Sequence, residues 1–139
     1  MEKIKEIFVP EGIKTLETPV LAFAFLGDAV MTLYVRKLLL ESGLVTVNNL
    51  HKTASKFCSA NGQAEMLENI LPNLTEEELN IVRRARNTKT HKPPKNSNLE
   101  TYKKATCLEC LLGMLLAQEN FARLAELFEL GIGKIGEKI

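Results

Sequence analysis

Two acidic side chains stand where acids are rare. Asp28 lies inside Val20-Leu21-Ala22-Phe23-Ala24-Phe25-Leu26-Gly27-Asp28-Ala29-Val30-Met31, and Glu109 lies inside a second apolar run from Ala105 to Ala117. A bare carboxylate among apolar side chains is costly, so it persists only when paired, hydrogen-bonded, cation-bound or placed at the mouth of a cleft. Each has a glycine close by: Gly27 precedes Asp28, and Gly113 follows Glu109 by four residues, on the same helical face. Neighbouring backbones can approach closely at such positions. Two carboxylates converging from two helices repel each other unless a cation neutralises them, and oxygen ligands suit Mg²⁺, with Mn²⁺ as a substitute. Water activated by such an ion beside a phosphate is a hydrolytic nucleophile. The plainer alternative is that each acid reaches the rim of its helix and pairs with Arg36, Arg83 or Lys103.

Charge points to a partner. The net charge is only +1, yet Arg83, Arg84, Arg86, Lys89, Lys92 and Lys95 fall within 13 residues that hold no acid. That stretch carries +6 on a body of −5, the asymmetry of a surface that meets a polyanion. Arg83, Arg84, Arg86, Lys89 and Lys95 are the candidate phosphate contacts, and no aromatic side chain interleaves them for base stacking. Cys107-x-x-Cys110 sits mid-helix among leucines. Zinc needs four ligands and redox pairs sit at helix N-termini, so these thiols read as small buried hydrophobes. His51 reads as a helix-surface or capping residue rather than a catalyst, and is kept only as a candidate RNA contact.

The elements that must position these groups are helices. Leu occurs 22 times and Ala 11 times against 15 for Val and Ile together, there is no Trp, and aromatics are 6%. This balance predicts an all-α domain spanning residues 1–139. Residues 1–17 read as a lead-in packed through Ile7, Phe8, Val9 and Leu16. Thr18 as N-cap and Pro19 as first position open a buried helix that runs to about Glu41. Helices follow over Asn48–Cys58 and Asn61–Ile70. Thr75 with Glu78 forms a capping box for a helix to about Arg86, and Asn87–Asn98 is an exposed loop. Ser97 or Asn98 caps the second apolar helix, a last helix ends at Gly131, and 132–139 is a frayed tail. No apolar run reaches the roughly 20 residues that span a bilayer. The N-terminus lacks a signal-peptide core and the three cysteines suggest no disulfide framework, so a cytoplasmic protein with reduced thiols is expected.

The segment Phe25-Leu26-Gly27-Asp28-Ala29-Val30 resembles the signature of the ribonuclease III family, and Leu108-Glu109-Cys110-Leu111-Leu112-Gly113 resembles its later glutamate motif. The resemblance implies an all-helical homodimer that hydrolyses double-stranded RNA with Mg²⁺, leaving 5′-phosphate ends, with Asp28 and Glu109 as metal ligands. Two departures are informative. Ala24 and Thr106 occupy positions where full ribonuclease III has further acids, and too few residues follow Phe128 for a double-stranded-RNA-binding domain. Both features resemble the Mini-ribonuclease III branch, as do Leu50-His51-Lys52, Ser59-Ala60 with Gln63-Ala64, Arg83-Arg84-Ala85-Arg86-Asn87, Lys89, Pro94-Lys95-Asn96 and Tyr102. Ala85 stands where that branch pattern has glycine. Membership implies maturation of the paired ends of large-subunit (23S) ribosomal RNA, aided by a ribosomal protein. Thr106, a turn before Glu109, is placed to hold a water on the cation.

Three readings follow. The first is a metal-dependent endoribonuclease. The second is a catalytically silent RNA-binding or ribosome-assembly module, motivated by the halved carboxylate set. The third is a helical scaffold that dimerises through its apolar signature helix.

Overall fold

The computed structural model describes residues 2–43, 46–89 and 98–133, and these form seven α-helices, one 3₁₀ turn and no strand. The helix with the longest run of buried residues occupies the centre. α6 (Leu99–Ala117) buries every residue from Ala105 to Leu115 except Glu109, and no single apolar stripe would allow that. Around it pack α2 (Val20–Glu41), α4 (Ala60–Ile70), α5 (Glu76–Asn87) and α7 (Phe121–Ile132). α3 (Val47–Cys58) leans on α2 and α4, and α1 (Glu2–Phe8) lies at the periphery. Among the described residues no helix is long and apolar enough to cross a membrane.

Local chemistry sets the helix starts. Thr75 and Glu78 close the predicted capping box, each side chain bonding the other's backbone N–H. Ser59 accepts from the Gly62 N–H at the head of α4, and Asn98 accepts from the Glu100 and Thr101 N–H groups at the head of α6. α2 departs from expectation. It begins at Val20 with Pro19 as N-cap, because the Thr18 hydroxyl donates back to the Lys14 carbonyl instead of capping the helix.

The sequence reading of α2 as buried on all sides also needs correction. Phe23, Gly27, Met31, Val35 and Leu39 face the core, whereas Phe25 is 87% exposed and Leu33 and Leu40 also face outward. The apolar composition of α2 therefore describes two faces, of which this chain covers one. Beside the open face lies a groove of about 530 Å³ lined by Leu26, Val30, Leu33, Phe121, Leu124 and Phe128. Tyr34 stacks on Phe128 with ring centroids 3.9 Å apart.

The lead-in is held differently from the prediction. Ile7, Phe8 and Leu16 are exposed, and only Val9 of the four expected contacts is buried. Polar bonds replace the missing apolar ones: Arg84 of α5 donates to the Thr15 and Thr18 carbonyls, both at 3.3 Å, and Gln118 donates to the Thr15 hydroxyl. At the other end, Ile132 is helical and buried rather than frayed, while 134–139 lie outside the described residues.

Candidate functional site

α2 and α6 approach each other closely, and glycine permits it. A Cβ on Gly27 would sit 1.8 Å from the Glu109 carbonyl oxygen, and one on Gly113 would sit 2.0 Å from that of Phe23. Both obstacles are backbone, so no rotamer change relieves them. This contact carries Asp28, one residue past Gly27, and Glu109 to the same edge of the helix pair. Asp28 is exposed and Glu109 half-buried, so the acids stand at the rim of the core rather than inside it.

The Asp28 carboxyl and the Gln63 carboxamide are the side chains that act on the Glu109 carboxyl. Burial, then contact with Asp28 and its negative charge, pushes the Glu109 carboxyl up to about 8, while the Gln63 amide works in the opposite direction. Neither Arg36, Arg83 nor Lys103 takes part in an ion pair with either acid among the described residues. Two neighbouring acids with no ion-pair partner among the described residues form an arrangement that a divalent cation would satisfy. The donor set is hard oxygen with room for solvent on the Asp28 side, which fits Mg²⁺ or Mn²⁺ retaining several waters. No group of three or more His, Cys, Asp or Glu converges among the described residues, so this is a two-carboxylate site.

The remaining predicted residues are placed as follows. Thr106 is buried and its hydroxyl donates to the Tyr102 carbonyl at 3.1 Å, so its proton is committed to its own helix. Arg83 and Lys89 are exposed. Arg84, read as a phosphate contact, is occupied by the Thr15 and Thr18 carbonyls. Arg86 pairs with Glu100 at 2.8 Å and ties the ends of α5 and α6 together. Lys95, with Lys92, Pro93 and Pro94, lies outside the described residues. His51 is exposed on α3.

The cysteines are structural. The Cys107 thiol donates to the Val82 carbonyl at 3.5 Å and the Cys110 thiol to the Val20 carbonyl at 3.2 Å, lacing α6 to α5 and α2. Burial pushes these thiols up to about 11 and about 12 respectively. Cys58 is half-buried, and burial, then the charge of Asp28, raises its thiol as well.

Gln63 is the residue whose part in the site was not anticipated. Its signal was present: it lies in the stripe Gln63, Ala64, Met66, Leu67 and Ile70, the one polar side chain on the buried face of α4.

A helical core around α6, with an acid from α2 and an acid from α6 at a glycine contact, defines a class. Residues 21–120 match the family described as Ribonuclease III domain. The crystal structure of protein FN1578 from Fusobacterium nucleatum is similar to this one, with a TM-score of 0.81 at 27% identity, covering 91% of this chain and 99% of that chain. The Mini-ribonuclease 3 of Thermoanaerobacter sp. (strain X514) is 41% identical over 132 residues, covering 95% of this chain and 92% of the relative. That of Staphylococcus aureus (strain NCTC 8325 / PS 47) is 34% identical over 120 residues, covering 85% and 90%. The chain belongs to the Mini-ribonuclease III branch of the ribonuclease III family.

Proposed function

We propose that the chain is a divalent-metal-dependent endoribonuclease of double-stranded RNA, that Asp28 and Glu109 hold its cation, and that residues 1–139 form one catalytic domain. The observation that carries this reading is the meeting of the two carboxylates at the Gly27–Glu109 backbone contact with no ion-pair partner among the described residues. Mg²⁺ bound there supplies a Lewis acid for the phosphodiester and lowers the pKa of water so that hydrolysis proceeds at neutral pH, leaving 5′-phosphate ends. Exposed Asp28 would offer carboxylate oxygens to such an ion. Half-buried Glu109 would hold it from α6. Arg83 and Lys89, with Lys95, grip phosphates, since duplex RNA is recognised largely by backbone and shape.

The substrate that family membership favours is precursor 23S ribosomal RNA, cut at its paired ends in the cytoplasm with the help of a ribosomal protein. The open apolar face of α2, with Phe25 standing out of it beside the groove, supports a homodimer. The test is cleavage of labelled double-stranded RNA and of a 23S precursor stem by wild type and Asp28→Asn, with Mg²⁺ and with EDTA. Cleavage that needs both Mg²⁺ and Asp28 is expected. Salt-sensitive binding of both RNAs without cleavage would replace this reading with an RNA-binding module.

A further inference from the structure

The outward face of α5 is not simply basic. Asn80, Arg83 and Asn87 recur at i, i+3 and i+7, so one stripe of the helix presents an amide, a guanidinium and a second amide, all three exposed. Together with Arg84, Thr88 and Val20 they line a cavity of about 420 Å³ where the end of α5 meets the start of α2, and no acidic residue is among the described residues that line it. Arg84 is fixed in its wall by the Thr15 and Thr18 carbonyls, and the Thr88 hydroxyl donates to the Arg84 carbonyl at 2.7 Å, which leaves its oxygen as an acceptor. The side-chain bonds along this end of α5 belong to Arg84, Arg86 and Thr88, and among the described residues none involves Asn80, Arg83 or Asn87.

Charge alone does not account for this mixture. A phosphate is the same group in RNA and in DNA, and a purely basic stripe would serve it better. A sugar hydroxyl both donates and accepts, and a carboxamide answers both needs with its carbonyl oxygen and its NH₂. The 2′-hydroxyl is the group that distinguishes RNA from DNA, and an A-form duplex displays it along a wide, shallow minor groove that an open surface cavity can meet. The two amides stand about 10 Å apart along α5, with Arg83 between them. Asp28 lies eight residues beyond Val20, about 12 Å along α2, so cavity and candidate cation site fall within the footprint of one duplex.

We propose that the cavity at the end of α5 is a ribose-phosphate subsite, in which Arg83 takes a phosphodiester of the bound strand and Asn80 and Asn87 take the 2′-hydroxyls that flank it. This rests on the nuclease reading and deepens it, because it names side chains through which the protein tells an RNA duplex from a DNA duplex. Arg83 supplies affinity for any phosphate backbone. The amides supply the preference for ribose, and being neutral they do so without adding to the salt dependence of binding.

The test measures binding by fluorescence anisotropy on the full chain, in EDTA to prevent cleavage and at several salt concentrations. Two duplexes of one sequence are compared, RNA and its 2′-fluoro analogue, which keeps the A-form shape but has no hydroxyl. The proteins are wild type, Arg83→Ala and the double variant Asn80→Ala/Asn87→Ala, each shown to be folded by thermal unfolding. Wild type is expected to bind RNA about tenfold more tightly than the 2′-fluoro duplex, the worth of two neutral hydrogen bonds. The double variant should lose that preference by weakening on RNA alone, with its salt slope unchanged. Arg83→Ala should weaken both duplexes alike and lower the salt slope by about one. Equal affinity of wild type for the two duplexes would overturn the proposal, as would an undiminished preference in the double variant, equal losses on both duplexes from the asparagine substitutions, or unchanged binding by Arg83→Ala. Wild type that binds neither duplex would overturn this subsite and the nuclease reading together. Wild type that keeps the preference for RNA but does not cleave it when Mg²⁺ is restored would overturn the nuclease reading alone.

Discussion

Gly27→Ala sets two physical rules against each other. Gly27 lies inside α2, where alanine is intrinsically preferred to glycine by about 1 kcal/mol, so propensity alone predicts a more stable protein. The tertiary contact predicts the reverse. The new methyl would fall 1.8 Å from the Glu109 carbonyl oxygen, about 1.6 Å short of the 3.4 Å at which ordinary contact begins. Because the obstacle is helix backbone, α2 and α6 must separate by an appreciable part of that distance, loosening the core seam of Phe23, Met31, Leu108 and Leu112. Overpacking of this kind costs about 1–3 kcal/mol, and a rigid obstacle places it at or above the upper end. After subtracting the propensity gain, the net loss is about 2 kcal/mol, or roughly 5–10 °C in Tm for a chain of this size. The assay is thermal and urea unfolding followed by circular dichroism, with Mn²⁺ binding measured on the folded variant. Gly113→Ala, whose methyl meets the Phe23 carbonyl oxygen at 2.0 Å, should behave alike, and the double variant should lose less than the sum, since the first methyl already parts the helices. A Gly27→Ala protein as stable as wild type or more so, with Mn²⁺ binding intact, would refute the claim that this contact positions the site.

Other expectations are shorter to state. Arg123 bonds buried Glu78 through two 2.8 Å contacts and also the Asn73 carbonyl, so Arg123→Met should cost on the order of 3 kcal/mol by urea unfolding, because it strands a carboxylate. Burial acting alone would raise the Glu78 carboxyl, but the bonds from Arg123 and the Thr75 backbone outweigh it and hold the group below its usual range. A depressed carboxyl contributes stability that is present above its unfolded pKa of about 4.3 and is lost as pH falls through the folded value. The pH titration of unfolding free energy should accordingly decline below about pH 4 in wild type and more shallowly in Glu78→Gln. Native protein should react with a disulfide reagent at Cys58 alone, with Cys107 and Cys110 modified only on unfolding; rapid labelling of three thiols would contradict their burial. Reversing Arg83 and Lys89 to glutamate should weaken double-stranded RNA binding and reduce its salt dependence by about two units of slope without altering Tm. Arg84→Met should instead lower Tm, and an unchanged Tm would show that its two carbonyl bonds hold nothing in place.

Most helices were legible because their signals are local. Thr75 with Glu78, the Ser59–Gly62 break between α3 and α4, and the leucine-rich run of α6 each speak through a few neighbouring residues, and α2 to α7 fall within a residue or two of expectation, whereas α1, inside the expected lead-in, and the 3₁₀ turn were not foreseen. What misled was apolar composition read as burial. Leu33, Leu40 and Phe25 are as hydrophobic as Phe23 and Met31, and only packing shows that one set faces the core and the other does not. Asp28 and Glu109 could be singled out as anomalies, yet their meeting depends on a contact between residues more than 80 positions apart. The bonds of Arg84 could not be foreseen because its partners are carbonyls, which every residue carries and no side-chain pattern betrays. Gln63 went unassigned for a related reason: a lone glutamine in an apolar stripe tells of a buried partner without saying which.

Those carbonyls have an electrostatic consequence. A guanidinium bonded to neutral acceptors keeps its entire charge, whereas Arg86 beside Glu100 is largely cancelled at any distance beyond the pair. Arg84 therefore still adds to the positive potential around the end of α5, even though its donors are turned inward to Thr15 and Thr18. Such a potential acts across roughly 8 Å before physiological salt screens it. A polyanion drifting toward this face would feel Arg84 during approach and not on arrival, so this side chain would speed association at low ionic strength while leaving the lifetime of the finished complex to its exposed neighbours.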